Sequence, residues 1–166
     1  MQFALPPLVV MGVSGSGKST IGSALAARLG LVFVDGDDLH SAENRSKMAS
    51  GIPLDDADRA PWLESVGETL STGRAGVVAC SALKRSYRDA IRCSAPGTFF
   101  VHLVGETSVL EARLGGRSHE YMPATLLQSQ LQILEPLNTD ESGCRMLVTL
   151  PPDVVVARVL HVLKVD

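Results

Sequence analysis

Apolar residues follow two rhythms along this chain. Short unbroken runs have the length and composition of buried strands: Leu8-Val9-Val10-Met11, Leu31-Val32-Phe33-Val34, Gly76-Val77-Val78-Ala79-Cys80, Phe99-Phe100-Val101-His102-Leu103-Val104 and Met146-Leu147-Val148-Thr149-Leu150. Between them apolar positions recur at helical spacing. Ile21, Leu25 and Leu29 share one face, and Gly30 follows where a helix-terminating glycine belongs. The pattern predicts helices over 18–29, 39–50, 57–73, 84–92, 106–114, 123–133 and 152–163. Strands this apolar, alternating with helices, predict an α/β fold with a parallel sheet covered on both faces. Ligands of such sheets bind beyond the carboxyl ends of the strands, so chemistry should follow the strands.

It does so at once. Gly12-Val13-Ser14-Gly15-Ser16-Gly17-Lys18-Ser19-Thr20 fits the phosphate-loop pattern G-x-x-x-x-G-K-[ST] without substitution, between the first strand and first helix. Glycines let backbone N–H groups curl around an anion, and the following helix aims its positive end at it. Lys18 supplies a point charge for the β- and γ-phosphates, and the Ser19 hydroxyl is a candidate Mg²⁺ ligand.

The second strand runs into Asp35-Gly36-Asp37-Asp38. Two carboxylates, Asp35 and Asp37, at a strand end let one face a metal's water shell while the other reaches an acceptor hydroxyl. The competing reading is a turn that caps the next helix, a task Asp38 alone can fill. His40, Asn44 and Lys47 stand at i, i+4 and i+7, a polar helix face or a merely solvated one. Arg59 is a candidate anion clamp, and Trp62 is either ligand contact or packing at a helix start. After the third strand come Ser81, then Lys84 and Arg88 at i, i+4 without an acidic partner nearby in sequence. They favour an anionic ligand, with a solvated face as the alternative. Arg113 and Arg117 repeat that spacing on a candidate lid that would stabilise phosphoryl charge and exclude water. Pairing of Arg113 with Glu106 is the alternative. Cations (Lys47, Arg59, Lys84, Arg88) with hydroxyl-binding groups (Asp37, His40, Asn44, Ser81) suit a small polyhydroxy acid.

Bulk composition narrows the field. The chain has 166 residues, enough for one domain, with net charge −3. That charge argues against broad binding to nucleic acid or anionic membrane. Of its 15 basic residues 11 are arginine, suited to bidentate grip on phosphate or carboxylate. Cys80, Cys93 and Cys144 form no CxxC pair, so neither zinc site nor disulfide framework is indicated. With no basic leader and no long apolar segment, the expected location is the cytoplasm.

The blocks MGVSGSGKST, DGDDLHSAENRSKMASGIPLDDADRAPWL, ACSALKRSYRDAIR and MPATLLQSQLQILEPL closely resemble the gluconate kinase family, phosphate-loop sugar-acid kinases related to shikimate and nucleoside-monophosphate kinases. The resemblance implies ATP-dependent transfer to the 6-hydroxyl of D-gluconate, giving 6-phospho-D-gluconate. It implies a single three-layer αβα domain with five parallel strands in order 2-3-1-4-5, an acceptor-binding segment near 38–75 and a lid near 113–125. Carried over, Gly12, Ser14, Gly15, Ser16, Gly17, Lys18, Ser19 and Thr20 hold the triphosphate. Ser19 and Asp35 serve Mg²⁺, and Asp37 the acceptor hydroxyl. His40, Lys47, Arg59, Ser81, Lys84 and Arg88 line the gluconate pocket. Arg113 lies near adenine and Arg117 near the phosphates. A homodimer is implied as well. One departure stands out: the family lid reads R-x-G-H-F-M, whereas Arg117-Ser118-His119-Glu120-Tyr121-Met122 puts glutamate at the histidine position. A kinase for another small acid such as shikimate, or an ATP-binding regulator without transfer chemistry, are the competing readings.

Overall fold

The computed structural model describes residues 4–115 and 124–165. Its five-stranded sheet comprises β1 (Leu8–Met11), β2 (Phe33–Asp35), β3 (Val77–Ala79), β4 (Phe99–Val104) and β5 (Gly143–Leu147). The strand order is β2-β3-β1-β4-β5, and all neighbours run parallel. This is the expected order. Helices α1 (Lys18–Leu29), α2 (Ala42–Ala49), α3 (Asp56–Ser71), α4 (Arg85–Ser94), α5 (Thr107–Gly115), α6 (Ala124–Ile133) and α7 (Pro152–Leu163) complete the three layers. α1 packs on β1, β2, β3 and α7, while α3 packs on α4 and β3. β1 sits at the centre with all four side chains fully buried, and Val77, Val78, Phe100 and Val101 extend that core. Removal of this apolar area from water is the main driving force of the fold.

Two expected boundaries move, each for a local reason. The fifth strand begins at Gly143 rather than Met146, with Phe100 opposite Gly143 and Val104 opposite Leu147. A Cβ at Gly143 would run into the Phe100 carbonyl and lie 2.8 Å from Leu137 Cδ1, so only glycine admits this pairing. After Leu147 the chain turns, Leu150 N–H donating to the Leu147 carbonyl. The helix expected over 39–50 splits into a 3-10 turn, Gly36–Leu39, and α2. Ser41 is the reason: its hydroxyl accepts the Asn44 N–H at 3.1 Å and caps α2, leaving His40 extended before it. His40 therefore shares no helix face with Asn44 and Lys47.

Candidate active site

Beyond the carboxyl ends of β1, β2 and β3 opens a cavity of about 230 Å³, lined by the phosphate loop, Asp35, Asp37, His40, Arg59, Trp62, Ser81 and Gln130. The loop is held in place by its backbone. Gly17 caps α1 at φ 92°, a left-handed conformation that side chains rarely adopt. The Gly12 N–H donates to the Ser81 carbonyl, tying the loop to the end of β3. Lys18 Nζ donates to the Val13 carbonyl at 3.1 Å, so the ammonium curls over the loop. The Ser14 and Ser16 hydroxyls are buried and find no partner among the described residues.

Asp35 ends β2 and faces the first turn of α1. The Ser19 hydroxyl donates to Asp35 Oδ2 at 2.5 Å, and the Asp37 N–H donates to Asp35 Oδ1 at 3.0 Å. One carboxylate thus caps the following turn, the task expected of Asp38, and accepts the hydroxyl of Ser19, its expected companion at Mg²⁺. Asp37 opens onto the cleft one turn later. Crowding by protein raises its pKa and Asp35 raises it further, while Lys18 opposes both. Desolvation lowers the Lys18 pKa, with Asp37 and then Asp35 pulling it back up. An ammonium and two carboxylates thus share one poorly hydrated corner, in which the Asp37 pKa is drawn up and the Lys18 pKa down. The donor set, hydroxyl and carboxylate oxygens beside a phosphate loop, suits Mg²⁺, which takes few protein ligands when phosphates complete its shell. No cluster of three His, Cys, Asp or Glu side chains fit to hold a metal by itself occurs among the described residues.

The opposite wall is built by α3. The reciprocal Asp55–Asp58 capping box starts this helix and sets its register. Trp62 is 4% exposed, and its Nε1 donates to the Gly36 carbonyl at 2.7 Å. His40 stacks on the indole, centroids 4.1 Å apart and planes 16° from parallel. Burial, with the charges of Arg59 and Arg45, lowers the His40 pKa to about 4, so a neutral imidazole faces the cleft. Both readings of Trp62 hold: it packs and it lines the cleft. Arg59 Nη1 donates to the Tyr87 hydroxyl at 3.0 Å, and its guanidinium lies 5.3 Å from that ring's centre. The Tyr87 hydroxyl in turn donates to Asp56 at 2.5 Å.

Three of the expected pocket cations lie elsewhere. Arg88 is fully buried away from the cleft and corrects the expectation of an acceptor ligand. Its Nε and Nη2 donate to Glu141 at 2.7 and 2.9 Å, and its Nη1 to the Ala82 and Glu135 carbonyls at 2.9 and 3.0 Å. No donor pair is left for a substrate. Its acidic partner was invisible to local spacing because Glu141 lies 53 residues on. Lys47 pairs with Asp58 at 2.8 Å. Lys84 precedes α4 rather than joining it, pairs with Asp56 at 3.3 Å and borders a neighbouring depression. Arg113 donates to the Val148 carbonyl, not to Glu106. With Thr20, Leu147, Leu150 and Pro152 it lines a second cavity of about 430 Å³ on the far side of the loop. Arg117, Glu120 and the lid's centre lie outside the described residues. The residue-type reading passed over Gln130 altogether. Only its place in the block MPATLLQSQLQILEPL marked it, without a role.

The likeness to known proteins extends over the same architecture. A family model described as an AAA domain matches residues 8–137. The gluconokinase of Gluconobacter oxydans (strain 621H) is 46% identical, with 96% of this chain and 93% of that one covered. Among solved structures, a gluconokinase from Sinorhizobium meliloti 1021 superposes with a TM-score of 0.88 at 48% identity, covering 96% of this chain and 91% of its own. An unliganded sugar kinase from Janibacter sp. HTCC2649 gives 0.92 at 44%, covering 98% and 96%. Identity of this order along nearly the whole length, on the same sheet and phosphate loop, means that the chain belongs to the gluconokinase family.

Proposed function

We propose that this protein transfers the γ-phosphoryl group of ATP to the 6-hydroxyl of D-gluconate, giving 6-phospho-D-gluconate and ADP. The observation that carries the reading is one cleft with two unlike walls. One wall is a phosphate loop with Lys18; the other bears Arg59, neutral His40 and Trp62, with Asp37 and Ser81 between them. The cation is fit for a carboxylate and the neutral polar groups for several hydroxyls. The cavity beside Arg113, with Leu147, Leu150 and Pro152 as an apolar wall, is the place assigned to adenine in this reading.

Catalysis here is electrostatic and positional. Lys18 offsets charge on the transferring oxygens, and Arg117 is assigned the same task from the lid. Asp37, its pKa raised, orients the acceptor hydroxyl and accepts its proton as the P–O bond forms. Ser19 and Asp35 would hold Mg²⁺ with the phosphates, and the ion would supply further charge neutralisation. Lys47 and Lys84 hold α3 in place rather than touching the acid. Homodimerisation and a cytoplasmic location go with this reading by resemblance. A solution mass of twice 17.6 kDa by light scattering tests the former. No helix among the described residues is long and apolar enough to cross a membrane.

The test is steady-state ADP release with Mg-ATP and D-gluconate, other aldonates, shikimate or no acid. Stimulation by gluconate well above the rest is expected. Stimulation by another acid instead moves the substrate, and ATP binding without turnover on any acid favours a regulator.

A further inference from the structure

Gln130, on α6, makes a contact that the reaction as described does not use. Its Oε1 accepts the backbone N–H of Ser14 at 2.7 Å, across 116 residues of chain. Gln130 is 9% exposed, and the surface it keeps faces the cleft. A backbone N–H only donates, so it fixes which end of the amide is oxygen. Nε2, which has no partner among the described residues, is then the donor available to the cleft. Ser14 is the third residue of the loop, and the cavity that Gln130 lines is lined also by Lys18, Asp37 and Arg59. Gln130 therefore touches the phosphate loop and borders the cleft that the loop shares with the acceptor wall.

We propose that Gln130 is a further catalytic residue, whose Nε2 donates a hydrogen bond to the phosphoryl group as it moves from ATP to the acceptor. In that step the P–O bond to the ADP oxygen breaks while the P–O bond to the acceptor oxygen forms. The hydroxyl proton leaves through Asp37 to solvent, and Gln130 keeps both amide protons. Its oxygen, anchored on Ser14, holds the donor still, so little reorganisation accompanies the charge shift. The inference rests on the kinase reading above.

Gln130→Glu separates donor from anchor, because a carboxylate still accepts the Ser14 N–H but has no proton to give at pH 8. With gluconate as acceptor, kcat should fall about 10²-fold, the loss typical of one transition-state donor, while the melting temperature stays near wild type. The deficit should narrow as pH falls and the glutamate protonates, which an anchor alone would not produce. A variant within twofold of wild-type kcat at pH 8, or a deficit indifferent to pH, overturns the inference. If Gln130→Glu does not fold, Gln130→Met is read by its kinetic split. A lower kcat with an unchanged KM for ATP supports the donor role; a raised KM for ATP with kcat intact refutes it. Wild-type protein idle with every acid sinks the kinase reading and this inference together. Active wild type beside an equally active Gln130→Glu sinks this inference alone.

Discussion

Replacing Arg88 by methionine tests the difference between a pocket cation and a structural one. The side chain is fully buried, and Glu141, its carboxylate partner, shows no side-chain exposure either. Methionine keeps the stem and removes the guanidinium. It leaves Glu141 with the Arg92 guanidinium and the Asn138 N–H, both at 2.9 Å, and strips the Ala82 and Glu135 carbonyls of their donor. Breaking a buried pair by removing one member costs about 3–5 kcal/mol, and the two surviving partners place this case near ~3. The Glu141 pKa reports the same network. Burial pushes it up, but hydrogen bonds from Arg88, Asn138 and Arg92 outweigh it and hold the group at about 2, against 4.5 ordinarily. That difference, about 3 kcal/mol in all, is shared among the three partners, and the variant forfeits the share of Arg88. A carboxylate whose folded pKa is depressed stabilises above its unfolded pKa. The contribution is therefore present above pH 4.5 and lost as pH falls toward 2.

For a chain of this size ~3 kcal/mol lowers Tm by about 6–12 °C. The assay is thermal unfolding followed by circular dichroism at pH 7 and pH 4, beside steady-state kinetics on the folded fraction. Arg88→Met should melt early, lose part of the acid sensitivity, and keep its KM for gluconate within about twofold. The double variant Arg88→Met/Glu141→Leu should recover part of the loss, since no unpaired charge stays buried. An unchanged Tm with a selectively raised KM for the acid would refute the reasoning and return Arg88 to the pocket.

Lys18→Ala should cut kcat by about 10² or more without lowering Tm, because its ammonium is already poorly hydrated; near-full turnover would remove Lys18 from the mechanism. Tyr87→Phe deprives Arg59 of its acceptor and Asp56 of a donor, so KM for gluconate should rise about tenfold, or ~1.4 kcal/mol, with KM for ATP unchanged. Equal effects on both substrates would count against Arg59 as the acid clamp. His102 is 2% exposed, with both ring nitrogens unpartnered among the described residues. Burial and the charges of Arg145 and Arg88 lower its pKa to about 4 from 6.5, so its unpartnered nitrogens cost stability throughout and its titration removes more as pH falls from 6.5 toward 4. His102→Leu should therefore raise Tm and flatten its decline between pH 6.5 and 4; a steeper decline would contradict this.

The chain's local order determined a good deal of this protein. Apolar runs and helical periodicity place β1, β4, α1 and α7 to within a residue, because burial of a strand or a helix face is written in neighbours two to four positions apart. The phosphate loop is legible for the same reason: nine consecutive residues perform one task, so no distant partner is needed to read them. Asp35 and Asp37 follow from their place at a strand end. Tertiary structure alone decided which charges face the cleft. Lys47, Lys84 and Arg88 read as pocket cations, and each is drawn instead to a carboxylate on another element, Asp58, Asp56 or Glu141. Arg88, as a buried charge, needs its partner wherever the fold supplies one, and spacing along a helix says nothing of a residue 53 positions away. The start of β5 depended on Gly143 meeting the Phe100 carbonyl, and the contact of Gln130 with Ser14 on α6 closing over the loop. Both are contacts between segments remote in sequence, whose geometry exists only once the sheet is assembled.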